Sequence, residues 1–263
     1  MKAVIPLAVL LATCSQQANQ PTNKTEKPIS AEKPVPSAAR PFADDEENDL
    51  IDFHFGWSAE AAAVPLLVQR FRAEMEKVKA ELLHNAKADK AEREKQGFPF
   101  NSYSSSTDYE TAGATSRLLS LTAEVASYTG GAHGNYGTSG LLWDRSMAKQ
   151  IEVPTLFTAA ENMERLLTQP WCDALNKARE EKRGEPVGGA GGMFDECPKF
   201  SEISVIPTDK DGNGRFERLV LIADPYVAGP YAEGDYEVEL RVNGDLISAI
   251  RTDYRESFEV QPQ

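Results

Sequence analysis

A strict alternation that runs into a cluster of glycines constrains this chain more than any other stretch. Leu119, Leu121, Ala123 and Val125 place apolar side chains on one face of a strand expected over residues 117–128. The strand delivers Tyr128-Thr129-Gly130-Gly131-Ala132-His133-Gly134-Asn135-Tyr136. Gly130 and Gly131 allow backbone angles that residues with a Cβ avoid, so the chain can turn sharply there or bring its backbone close to another group. Everything before and after this loop has to be arranged around a sheet.

Strand patterns recur on both sides. Ile51, Phe53 and Phe55 alternate with polar residues, and residues 103–111, 138–143 and 150–153 continue the sheet. Later strands are expected around Ile203 and Val205, around Phe216, Leu219 and Leu221, and around Tyr236, Val238 and Leu240. Between them lie helices. Pro65 suits a first helical turn, and Leu67, Phe71, Met75, Val78 and Leu82 form one apolar face of a helix running toward Gly97. Beyond Leu83 the composition turns to Ala, Lys and Glu, and this half, with His84, is expected to project into solvent. Thr158 and Glu161 have capping-box spacing and should open a helix that Pro170 interrupts. A last helix is expected from Asn243. Antiparallel strands with packed helices and few alternating βα units describe an α+β protein.

The N-terminus reads as an address. Met1-Lys2, a short apolar run to Ala12 and Leu11-Ala12-Thr13-Cys14 resemble a bacterial lipoprotein signal in which Cys14 carries the lipid. The run is too short to span a membrane, so membrane contact is expected through the anchor alone. Ser15 after the cysteine suggests the periplasmic face of an outer membrane. Residues 15–43 hold five prolines among polar residues and read as a disordered tether, extended by Asp44-Asp45-Glu46-Glu47 as a solvated boundary. Folded structure is therefore expected from about Leu50.

Charge and cysteine usage narrow the function. The formal net charge is −13, and loss of residues 1–13, which contain only Lys2, takes it to −14. A polyanion needs clustered cations, so nucleic acid is not an expected partner, whereas a basic protein is. With Cys14 lipidated, Cys172 and Cys197 are left to pair in an exported protein.

Three stretches could carry chemistry. Asp209, Asp211, Asn213, Gly214 and Glu217 match the first half of a calcium loop, but Val220 stands where a closing carboxylate is needed, so a self-capped hairpin turn competes with a metal site. His133 could serve as a base if a carboxylate oriented it, or could bond backbone carbonyls and lock its loop. No nucleophile elbow, zinc-protease helix, phosphate loop or dinucleotide fingerprint is present, and no cofactor is implied. The third stretch runs from Asp224-Pro225-Tyr226 to Gly229-Pro230-Tyr231-Ala232-Glu233-Gly234, a rigid connection between strands.

Tyr128 to His133, Leu156-Phe157 and the Asp224–Gly234 stretch together resemble the paired domains of unknown function in RsiV-type anti-sigma factors and PdaC-type peptidoglycan deacetylases. The resemblance implies two small consecutive domains, residues 48–136 and 137–256, after a signal peptide of 1–13 and a tether of 14–47. It also implies a partner, because the RsiV-type region binds lysozyme, which is basic. No sigma-binding segment, transmembrane helix or following deacetylase domain is read from the sequence. The expectation is a non-catalytic, lipid-anchored envelope module for a lysozyme-like protein or peptidoglycan, with Tyr128, Gly130, Gly131, His133, Tyr136, Tyr226 and Tyr231 as its binding residues. An envelope glycan hydrolase using His133 and a structural lipoprotein of an envelope complex are the alternatives.

Overall fold

The computed structural model describes residues 39–187, 192 and 194–260. The signal peptide, Cys14 and the tether up to residue 38 lie outside the described residues. What is described belongs to one compact unit.

Six strands form the main sheet in the order β1 (Phe42–Glu47), β2 (Ile51–Trp57), β3 (Tyr103–Ala114), β4 (Leu118–Tyr128), β5 (Asn135–Asp144) and β6 (Lys149–Ile151). All neighbours are antiparallel except β2 and β3. That parallel pair follows from the crossover between them, a short α1 (Ala59–Ala62) and the long α2 (Pro65–Gln96), since parallel strands need such a connection. A second antiparallel sheet is built from β7 (Ser204–Thr208), β8 (Arg218–Ala223) and β9 (Tyr236–Arg241). It packs with α3 (Ala160–Arg183) and α4 (Gly244–Ala249).

Folded structure starts earlier than the sequence suggested. The acidic run lies in an edge strand, not in a solvated boundary, because its alternate residues find partners. Phe42 stacks on Trp57 with ring centroids 4.0 Å apart. Lys79 of α2 reaches both Asp44 and Glu46 at 2.9 Å. The far half of α2 also stays on the sheet: Leu82 and Ala86 are buried, and Lys90 pairs with Asp49 at 2.8 Å. His84 is exposed. Gly97 ends the helix with a left-handed C-cap, as its position suggested.

Two apolar clusters fill the molecule. One, under α2, gathers Ile51, Phe53, Phe55, Trp57, Phe71, Leu119 and Leu121. The other joins Leu118 and Leu142 to α3, α4 and the second sheet. The boundary expected between residues 136 and 137 falls inside β5, which contributes Leu141 and Trp143 to the first cluster and Leu142 to the second. The chain thus passes from one core to the other along a strand.

Three local expectations are corrected. Pro170 does not interrupt α3, which is continuous, because Met163 and Leu167 before it and Trp171 and Leu175 after it bury on one face. That burial outweighs the missing hydrogen bond of the proline. Thr158 does not cap the helix. Its hydroxyl bonds the Ala249 carbonyl, and Ala159 occupies the N-cap position without a side-chain bond. The last helix stops at Ala249 and resumes as a 3₁₀ turn over Thr252–Ser257.

Cys172 and Cys197 form the expected disulfide, with Cα atoms 5.5 Å apart. It ties the segment before β7 to α3, and the buried Arg179 guanidinium completes the attachment by donating to the carbonyls of Glu196 and Ala228. At the end of β5 the fully buried Asp144 carboxylate accepts bonds from Arg117, from Ser146 Oγ and from the Ser146 and Met147 amides. Burial alone would raise its pKa, but these donors outweigh it and hold the group at about 2.

Candidate functional site

The two motifs singled out in the sequence meet. The loop between β4 and β5 turns at Gly130, whose φ of +80° is open to glycine, whereas Gly131 does not take a positive φ. The Asp224–Gly234 connection between β8 and β9 comes up beside it. Asp224 Oδ1 accepts the Thr138 amide at 2.8 Å, and a Cβ on Gly137 would stand 2.7 Å from Asp224 Oδ2. A side chain at 137 would require the Asp224 carboxylate to move. Burial raises the pKa of Asp224.

The contact brings four rings together. His133 stacks on Tyr231 at 4.1 Å, Tyr136 meets Tyr231 edge-on at 6.1 Å, and Tyr226 lies 5.7 Å from Tyr231. The Tyr231 hydroxyl donates to the Gly134 carbonyl at 2.7 Å, and His133 Nδ1 bonds the same oxygen at 2.7 Å. Among the described residues, no carboxylate is bonded to His133. Its hydrogen bond serves the loop. Tyr226 is held at φ +74°, a region that a tyrosine enters only at a cost of about 1 kcal/mol or more, and the residue is 57% exposed. Tyr136 is also exposed. The strained backbone holds an exposed ring beside the others.

Of the expected binding residues, His133, Tyr136, Tyr226 and Tyr231 form this cluster. Tyr128 shares the sheet face with Tyr136 by register but makes no ring contact with the cluster, and Gly130 and Gly131 shape the loop without joining it.

Strand register reveals an adjoining feature. On the face of β1–β4 opposite α2, the outward positions are Ala43, Asp45 and Glu47, then Asp52, His54 and Gly56, then Ser104, Ser106, Asp108 and Glu110, then Thr122, Glu124, Ala126 and Tyr128. Six of these are carboxylates and none is Lys or Arg. One register row runs Asp45, His54, Ser106, Ala126, Tyr136, so the acidic face ends at the aromatic cluster. His54 bridges two of the acids, with Nδ1 at 2.6 Å from Asp45 and Nε2 at 2.9 Å from Asp108. Its pKa is raised, by Asp45 foremost and then by Asp108. His54 occupies a polar position within the alternation of Ile51, Phe53 and Phe55, a pattern that does not reveal these partners. No local pattern points to them, because the arrangement arises from the register of β1, β2 and β3.

Asp209, Asp211 and Glu217 bring one carboxylate oxygen each to within 4.8 Å of one another. Such a hard, oxygen-only set could hold a divalent cation. The same groups also account for the turn without one. Asp209 accepts the amides of Gly212, Asn213 and Gly214, and the buried Glu217 accepts that of Lys210. Asn213 spends its side-chain amide on Glu259 and Asp211.

Comparison with known proteins agrees with the resemblance drawn from the motifs. Residues 16–136 match the family model described as deacetylase PdaC. A solved DUF3298-family protein of Pseudomonas aeruginosa PAO1 is 16% identical, with a TM-score of 0.50 over 80% of this chain and 92% of that one. A member of the same family from Bacteroides fragilis NCTC 9343 is 16% identical, with a TM-score of 0.48 over 82% and 95%. No curated protein matches the sequence significantly. Among the described residues no helix is long and apolar enough to cross a membrane.

Proposed function

We propose that this protein is a non-catalytic binding module of the bacterial envelope, anchored through Cys14 at the periplasmic face of the outer membrane, and that it takes a basic protein such as lysozyme. The observation that carries this reading is the strand face of six carboxylates without a lysine or arginine, ending at exposed aromatic rings. Acidic groups steer a cationic partner and set its orientation, while rings such as Tyr136 and Tyr226 supply the apolar contact that charge alone lacks. The resemblance to RsiV-type regions supports the same partner. The deacetylase in the name of the matched family is not carried over, since His133 bonds its own loop and, among the described residues, no carboxylate is bonded to it.

Calorimetric titration with lysozyme at low and physiological salt tests the proposal. Binding should weaken as salt rises, and both Glu124→Lys and Tyr226→Ala should weaken it at least tenfold. No heat at micromolar protein, or an affinity indifferent to both substitutions, would sink it. A peptidoglycan strand is the second reading, favoured by the ring cluster, because sugars stack their apolar faces on aromatic groups. Pull-down on purified peptidoglycan that survives high salt but fails for Tyr226→Ala would select it over the first.

A further inference from the structure

A cavity of about 460 Å³ opens between the main sheet, the first turns of α3 and the strand β7. It shares no residue with the aromatic cluster. The volume falls within the roughly 300–1,000 Å³ usual for small-molecule sites. Leu142, Ile151, Val153, Met163, Phe200 and Ile206 give it apolar walls.

Its floor holds an unusual group. Ser120 points to the same sheet face as its register partner Leu142, is 1% exposed, and lines the cavity. Among the described residues no group hydrogen-bonds its hydroxyl, although buried hydroxyls are ordinarily paired. The charged side chains lining the cavity are Glu152 and Glu164, both exposed and therefore at its mouth. An anion entering here would meet two carboxylates on a chain whose net charge is already −13.

We infer that this cavity binds a small cationic amphiphile. The apolar body fills the space between Leu142, Met163 and Ile206, a neutral hydrogen-bonding group meets the Ser120 hydroxyl, and an ammonium or similar cation rests between Glu152 and Glu164. A ligand of this build pairs with the Ser120 hydroxyl and uses the charge at the entrance. A fatty acid or other anionic amphiphile satisfies the first and is opposed by the second.

Fluorescence titration of the whole protein with dansylcadaverine tests the assignment, because that probe joins an apolar ring system, a sulfonamide and a terminal amine. Dansyl-6-aminohexanoic acid, with the same fluorophore and a carboxylate in place of the amine, is the control. The amine probe should bind saturably at one site and at least fivefold more tightly than its acidic twin. Ala160→Trp closes the mouth from an exposed first-turn position of α3 and should weaken binding at least tenfold without changing the thermal unfolding curve. Ser120→Ala should weaken it roughly fivefold, the size of one hydrogen bond. The pair Glu152→Gln and Glu164→Gln should bring the two probes to within about twofold of each other. Absence of saturable binding, or binding untouched by Ala160→Trp, overturns the site. Equal affinity of the two probes for the unaltered protein overturns the ligand class.

Discussion

Replacing Asp144 with Asn isolates the charge that joins β4, β5 and the 3₁₀ turn near the C-terminus. The carboxylate is fully buried and titrates at about 2 when folded, against 3.8 ordinarily. Each pKa step is worth about 1.4 kcal/mol, so the ionised form contributes about 2 kcal/mol of stability at neutral pH. The sign follows from the depressed pKa. The contribution is complete above 3.8 and disappears as pH falls through 2, with close to half gone by about pH 3. Asn keeps the shape and removes the charge, leaving Arg117 to its bond with the Asp253 carbonyl. Urea unfolding of both proteins at several values between pH 7 and pH 3 is the assay. The substituted protein should be less stable by about 2 kcal/mol or more at pH 7, and the gap should narrow by about 1 kcal/mol at pH 3. A gap that stays constant over that range would refute the reasoning, because the bonds would then be worth the same with or without the charge.

Three further outcomes are expected. His54 titrates above its ordinary value, so the stability it lends is full below about pH 6.5 and is lost as pH rises through its folded pKa; unfolding curves of His54→Gln should therefore converge on those of the unaltered protein as the solution becomes alkaline. Removing the disulfide by Cys172→Ser with Cys197→Ser should cost about 3 kcal/mol, given a sequence separation of 25 residues, and denaturant titration under oxidising conditions measures it. Gly137→Ala drives a methyl group into Asp224 and should destabilise the protein by about 1–3 kcal/mol, while near-ultraviolet circular dichroism reports the displaced tyrosines.

Much of the architecture was open to reading because it rests on local pattern. The alternation from Leu119 to Val125 defines β4, the apolar face from Leu67 to Leu82 defines most of α2, and two cysteines in an exported-looking chain define the disulfide. The gathering of Tyr136, Tyr226 and Tyr231 was also in reach, since both motifs were recognised as parts of one pattern. What escaped depends on partners distant in sequence. The run Asp44 to Glu47 looks solvated until Lys79 is placed beside it, 32 residues or more along the chain. The Asp45, His54 and Asp108 arrangement exists only through the register of three strands. Pro170 is a strong local signal that lost to four large side chains burying on one helix face. Ser120 is an ordinary strand serine until the second sheet is laid across it.

The strand β5, which feeds both cores, has a consequence for how the protein can be divided. A fragment ending at residue 136, where the recognised region stops, keeps only the first two residues of that strand. It would lack Leu141 and Trp143, so Leu119 and Leu121 would lose part of their cover, and β4 would be left as a long unpaired edge. The complementary fragment would retain most of β5 with only the short β6 beside it and its β4 edge bare. The two halves should therefore melt in a single cooperative transition, and pieces made by cutting between them should self-associate through the bared edge rather than behave as free-standing modules.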